Sequence, residues 1–179
     1  MNNEMQQNTR PNLKLNDPNN ILLIDGSGYI FRAFYGLPPM TNKDGIPVNA
    51  VFGFTKMLIK LIDDLKPHYA AVIFDVSRKT FRNDLFEFYK ANRSEPPEDL
   101  IPQFSLIREA TEAIGLPVVE MEGFEADDLI ATYANIALKS TKKAIVVSSN
   151  SEILPSFISF NTYFIDENHS APWSTFRTR

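Results

Sequence analysis

ILLIDGSGYIFRAFY, residues 21–35, decides the fold. An unbroken apolar run ends on Asp25, Gly26 and Gly28 permit a tight turn, and a helical pattern takes over through about Tyr35. A short continuous apolar run bounded by turn residues reads as a strand buried on both faces. AAVIFD (70–75) closes on Asp75 in the same way, and KAIVVS (143–148) is a third run of the kind.

Working outward, strands are expected at 20–25, about 69–74, 117–121 and 143–148. Helices fill the intervals. In the second, at about 49–65, Val51, Phe54, Met57, Leu58, Leu61, Ile62 and Leu65 recur at three- and four-residue spacing before Pro67 ends it. The loop GLPPMTNKDGIP (36–47) precedes it, SEPPED (94–99) leads into a helix at about 99–114, and another is expected at 124–139. Repeated βα units imply an α/β fold, a mostly parallel central sheet flanked by helices on both faces with right-handed crossovers.

The chain has 179 residues, 44% of them hydrophobic, which is ample for one core and short for two domains. No apolar run approaches the length of a membrane helix, so no membrane partner is expected. The absence of cysteine fits a reducing cytoplasm, and with only two histidines, His68 and His169, it argues against a zinc or iron–sulfur site. Residues 1–19 are polar and asparagine-rich and read as a disordered leader.

The chemistry lies in the acids. Asp25 and Asp75 end strands, Glu125, Asp127 and Asp128 open a helix, and strand ends in open α/β sheets are where sites form. Each has a simpler explanation taken singly. Asp25 suits a helix cap, the three later acids suit a helix dipole, and DGSG (25–28), which matches neither full glycine fingerprint, suits a plain strand-to-helix turn as well as a phosphate cradle. Adjacent carboxylates nonetheless repel unless a cation or protons relieve them. Five together favour a site for Mg²⁺ or Mn²⁺.

The formal net charge of −4 hides a local excess of cations. Arg78, Lys79, Arg82, Lys90 and Arg93 oppose only Asp84 and Glu87, with Phe81, Phe86, Phe88 and Tyr89 interleaved. Cations neutralise phosphates and aromatic faces stack on unpaired bases, while a solvated helix with an apolar stripe explains the same pattern.

LLIDGSGYIFRAFYGLPPMTNKDGIPVNAVFGFTKML (22–58), VIFDVSRKTFRNDLFEFYKANRSEPPEDL (72–100) and GFEADDLIATYA (123–134) together resemble the 5′-nuclease domain found at the front of bacterial DNA polymerase I, a relative of the flap endonucleases. The resemblance runs from about Asn20 to Ser149 and implies a PIN-like (resolvase-like) three-layer fold. It implies that Asp25, Asp75, Glu125, Asp127 and Asp128 hold divalent metals and that Tyr89, Lys90 and Arg93 act at an arch. There an aromatic packs on the end of an unpaired strand, a lysine approaches the scissile phosphate and an arginine grips phosphate. Arg32, which comes from the resemblance alone, and Arg82 match basic positions facing the substrate. The implied reaction is two-metal hydrolysis of DNA at 5′ flaps, nicks or single-stranded 5′ ends, as in primer removal and repair.

The pattern departs at Asn150, Ser151 and Glu152, where the family reads Asp-Lys-Asp. A neutral ligand at Asn150 and a longer arm at Glu152, the remaining acid, imply a weakened second metal site. Residues 150–179 read as a divergent or truncated tail without the family's helix-hairpin-helix module, with frameshift and drift both open and helix-like spacing at Ile153, Leu154, Phe157 and Ile158. Three functions follow: an active 5′ nuclease, an inactive remnant that binds single strands, or a PIN-like ribonuclease. Intact arch residues favour the DNA flap substrate over the third.

Overall fold

The computed structural model describes residues 16–76, 80–86, 88–91 and 94–148, together with the backbone of two strands at Thr162–Asp166 and Phe176–Arg177. The expected buried strands form as β1 (Asn20–Asp25), β2 (Ala70–Ile73), β3 (Val118–Val119) and β4 (Lys143–Ser148). Two more, β5 (Thr162–Asp166) and β6 (Phe176–Arg177), extend the sheet beyond the four that the sequence reading calls. The order is β3-β2-β1-β4-β5-β6, parallel except where β6 pairs antiparallel with β5.

The period of two along each strand sorts the core into two layers. Leu22, Ile24, Val72, Phe74, Ile145 and Val147 face α1 (Gly26–Gly36), α2 (Asn49–Leu65) and α4 (Gln103–Ala113). Leu23, Ala71, Ile73, Ala144 and Val146 face α5 (Ala126–Lys139). Each large apolar side chain removed from water contributes about 1.5–3 kcal/mol, and this is what holds the three layers together. A short helix α3 (Phe81–Leu85) and a 3₁₀ turn (Glu98–Leu100) lie between β2 and α4.

Several boundaries move for local reasons. The helix expected at 124–139 starts at Ala126, because Glu125 is the extended residue preceding it. The helix expected at 99–114 divides into the 3₁₀ turn and α4 around Pro102. Residues 17–19, assigned by sequence to a disordered leader, are tied down: Lys142 donates to the Pro18 carbonyl at 2.8 Å, and the Lys143 amide to that of Asn19 at 2.8 Å.

Topology places the site. The chain runs from β1 outward to β2 and β3, then returns through α5 to β4 on the other side of β1. The order therefore reverses between β1 and β4, and ligands in open α/β sheets bind beyond the carboxyl ends of the strands at such a point. Asp25 ends β1 there. Gly26 follows it because the ring of Phe74 lies against the turn, so that a Cβ at Gly26 would stand 2.3 Å from Phe74 Cε1.

One buried polar residue secures the α2–α4 contact. Val48, which precedes α2, provides no side-chain cap. Gln103, fully buried, supplies one from across the fold. Its Oε1 accepts from the amides of Ala50 at 2.7 Å and Val51 at 3.1 Å, and its Nε2 donates to Asn49 Oδ1 and to the Asp99 carbonyl, both at 2.9 Å. Gln103→Leu keeps the volume and leaves two helix amides without an acceptor. We expect a loss of about 2–3 kcal/mol, read as a lower midpoint in urea with an unchanged slope; a midpoint equal to the parent's rules the cap out.

Candidate metal and nucleic-acid site

The acids gather from three elements. Asp25 stands at the end of β1, Asp75 two residues past β2, and Glu125, Asp127 and Asp128 at the start of α5. Asp25 is buried, and its carboxylate accepts from Ser148 Oγ at 2.8 Å and from the Ser27 amide at 3.2 Å. Asp75 is fixed twice here: its amide donates to Ser27 Oγ at 3.1 Å, and its Oδ1 accepts from the Ala126 amide at 2.7 Å. The second bond sets the first turn of α5 against the end of β2.

Helical geometry then divides the α5 acids. Successive residues turn by about 100°, so neighbours at 127 and 128 diverge. Asp127 is turned toward Asp25 and Asp75, whose charges act on it; burial first, then those two carboxylates, push it up to about 6. Burial is also the main cause that raises Asp25, with Asp75 adding to it. Asp128 turns to the other side. It pairs with Arg82 through two bonds of 2.6 Å and accepts from the Glu125 amide at 3.1 Å, and the Arg82 bond holds it below its ordinary value. The guanidinium of Arg82 is pushed up in return.

Lys90 and Tyr89 close the site over Glu125, with Lys90 Nζ at 2.8 Å from Oε1 and the Tyr89 hydroxyl at 3.2 Å from Oε2. The Tyr89 ring also receives the Lys90 ammonium at 5.2 Å and the Arg82 guanidinium at 5.9 Å. Lys90 has a φ of 54°, a left-handed conformation uncommon for a side chain of its size. Asn83 steadies this turn by donating to the Tyr89 carbonyl at 3.2 Å. Beside the acids runs a groove of about 710 Å³, whose lining includes Phe81, Tyr89, Phe124 and Ile136.

The donor set fits a hard divalent cation, since it consists of carboxylate oxygens that raise one another's proton affinity. Among the described residues, no three acids converge at ligand distance as they are oriented here. Asp25, Asp75, Glu125 and Asp128 are each held by a protein donor.

The structure thus brings together Asp25, Asp75, Glu125, Asp127, Tyr89 and Lys90, sets Asp128 with Arg82 at the rim, and leaves Arg32 exposed on α1. Arg78, Lys79, Arg93, Asn150 and Glu152 lie outside the described residues. Sequence reasoning missed Ser27, Asn83 and Ser148. Only their nearness to a strand end or to the basic-aromatic segment signals them.

The family described as 5′-3′ exonuclease, N-terminal resolvase-like domain, matches residues 20–171. The chain belongs to this family. Its match continues past Ser149, where the sequence resemblance stops, and takes in β5. DNA polymerase I of Rhizobium leguminosarum is 54% identical over 154 residues, 82% of this chain and 15% of that protein. The 5′-3′ exonuclease of Bacillus subtilis (strain 168) is 44% identical over 122 residues, 66% of this chain and 41% of that protein. The match therefore spans less than half the length of either relative.

A bacteriophage T5 5′-exonuclease solved with divalent zinc ions has a TM-score of 0.61 at 18% identity, covering 83% of this chain and 55% of its own. The phage flap endonuclease in a complex with DNA and metal ions gives 0.62, again at 18% identity with 83% and 55% covered. This likeness establishes the PIN-like fold expected from the sequence.

Asp127 gives a pH test. Its folded value of about 6 lies above the ordinary 3.8. The folded protein therefore holds the proton more tightly, and the stabilisation present below pH 3.8 is lost as pH rises through about 6. In the metal-free protein, Asp127→Asn is expected to raise stability at pH 7.5 by about 1 kcal/mol, discounted for solvent screening of a partly exposed group. The gain shrinks toward pH 4. Urea titrations in EDTA at both pH values check it, and equal stability of parent and variant at pH 7.5 removes the crowding argument.

Proposed function

We propose that the chain hydrolyses phosphodiester bonds of DNA near free 5′ ends, using Mg²⁺ or Mn²⁺ held by Asp25, Asp75, Glu125 and Asp127. Asp128, from the rim, and Glu152 complete the acid set implied by the sequence. The observation that carries this reading is the Asp127 carboxylate, which is partly buried and feels the charges of Asp25 and Asp75, themselves fixed by protein donors. Family membership and the phage enzymes solved with metal ions and DNA support it.

A divalent ion held by these carboxylates would lower the pKa of a water and offset charge on the phosphate. The chain's own residues do the rest. Asp25 and Asp75 are fixed by strand ends and by Ser148, Ser27 and Ala126, so little reorganisation is needed as charge develops. Lys90, partly exposed and 2.8 Å from Glu125, supplies the positive charge for the scissile phosphate in this reading. Tyr89 offers a face on which the terminal base of an unpaired strand stacks. Arg82, fixed by Asp128 and packed at 4.6 Å over Phe81, adds positive potential at the rim. Arg32, Arg78, Lys79 and Arg93 are the further cations that the sequence resemblance and the basic-aromatic segment offer to DNA phosphates.

Cleavage of a 5′-labelled flap DNA in Mg²⁺ and in Mn²⁺, beside a nicked duplex and a single strand, tests the proposal. The chain should cut the flap, and Asp25→Ala should abolish cutting. Lys90→Ala should lower kcat by about 10²-fold with the thermal midpoint within a few degrees of the parent's. Cleavage that survives EDTA or Asp25→Ala overturns the metal-dependent reading.

A further inference from the structure

Arg108 lies on α4, outside the acid cluster, and makes four contacts, one to its own helix and three to residues just past the ends of β2 and β3. Its Nε donates to Glu120 Oε2 at 2.6 Å, its Nη1 to the Phe104 carbonyl at 3.0 Å and its Nη2 to the Asp75 carbonyl at 3.0 Å, while the guanidinium packs at 5.1 Å over the ring of Phe74. Phe74 is the buried ring that lies against Gly26, the residue after Asp25. Glu120 begins the connection from β3 to the acids of α5.

The position of these contacts explains what they do. β3 has two residues, paired as Val72↔Val118 and Ile73↔Val119, and the last backbone bond between the strands runs from the Phe74 amide to the Val119 carbonyl at 3.0 Å. Asp75 and Glu120 are the next residues on each side, where the ladder has stopped. Arg108 bridges them where backbone no longer does. It holds the Asp75 carbonyl and the Glu120 carboxylate at once and presses on the ring that spaces β2 from the β1 turn. A planar guanidinium donates in these different directions, whereas the ammonium of lysine is a single point charge.

We propose that Arg108 is a positioning residue of the metal site, setting the separation of Asp75 from Asp25 and from the acids of α5. The inference rests on the proposed metal-dependent function and adds a residue that meets Asp75 through its main-chain carbonyl, not its carboxylate. Groups that orient metal ligands from behind typically change affinity or activity by about 10–100-fold when removed.

The test compares the parent chain with Arg108→Met, which retains an apolar stem, and with Arg108→Lys. Each is titrated with Mn²⁺ in the absence of DNA by calorimetry, melted in EDTA, and assayed for kcat and KM on flap DNA. We expect Arg108→Met to lose about tenfold in Mn²⁺ affinity and in kcat, with KM little changed and the metal-free melting midpoint within a few degrees. Arg108→Lys should fall between it and the parent. Should Arg108→Met fail to fold, Glu120→Gln, which weakens one anchor and leaves the other three, is titrated in its place, and a smaller loss of Mn²⁺ affinity is expected.

Unchanged Mn²⁺ affinity in folded variants overturns the inference and leaves the proposed function standing. So does a loss that disappears when the titration is repeated well below the melting midpoint, which marks Arg108 as structural only. A parent chain that binds no Mn²⁺ overturns the metal-dependent function and this inference together.

Discussion

The constraint on which the site depends is the placing of a carboxylate, Asp25, at the end of a strand buried on both faces and flanked by strands on both sides. A carboxylate removed from water resists ionisation unless donors compensate it. Ser148 and the Ser27 amide supply part of that compensation, from β4 on one side and from the turn into α1 on the other. Neither carries charge, and Asp127, raised first by its own burial, feels the carboxylates of Asp25 and Asp75 as well. Around this centre the cations are kept to the edge. Arg82 is taken up by Asp128, and Lys90 reaches Glu125. The interior of the cluster is thus left electrostatically unbalanced in favour of a small, doubly charged ion.

Much of this was legible in the sequence where one segment carried its own signal. The runs at 20–25 and 143–148 and the helix at 49–65 appear with those boundaries, because unbroken apolar strands and a seven-member helical stripe leave little ambiguity. β3 shrank from the expected 117–121 to Val118–Val119, since strand length is set by a partner and its pairing with β2 ends there. β5 is not among the strands expected from the sequence, although TYFID has the β-branched and aromatic character of one. The helix-like spacing of Ile153, Leu154, Phe157 and Ile158 just before it competes with that signal, and pairing with β4 decides it.

The candidate site divides along the same line. Residue types at strand ends identified the acids, but which of Asp127 and Asp128 would face Asp25 depends on the rotation of α5, and that is fixed by the Ala126–Asp75 bond and by Arg82. Arg108 and Gln103 were illegible for a related reason. Their partners Asp75 and Ala50 lie 33 and 53 residues away in sequence, and nothing local to either residue points to them.

Gln103 also has a bearing on how the chain comes to fold. The amides that open α2 are satisfied by a side chain made only after α2, β2 and α3 have all been synthesised. Until α4 arrives, α2 has its apolar stripe but an unfinished first turn, and the loop between the two elements must close before either gains from the contact. Parallel pairing of β1 with β2, and later with β4, adds further non-local closures. The first turn of α2 and the centre of the sheet thus both depend on residues far along the chain, which makes folding a matter of non-local contacts.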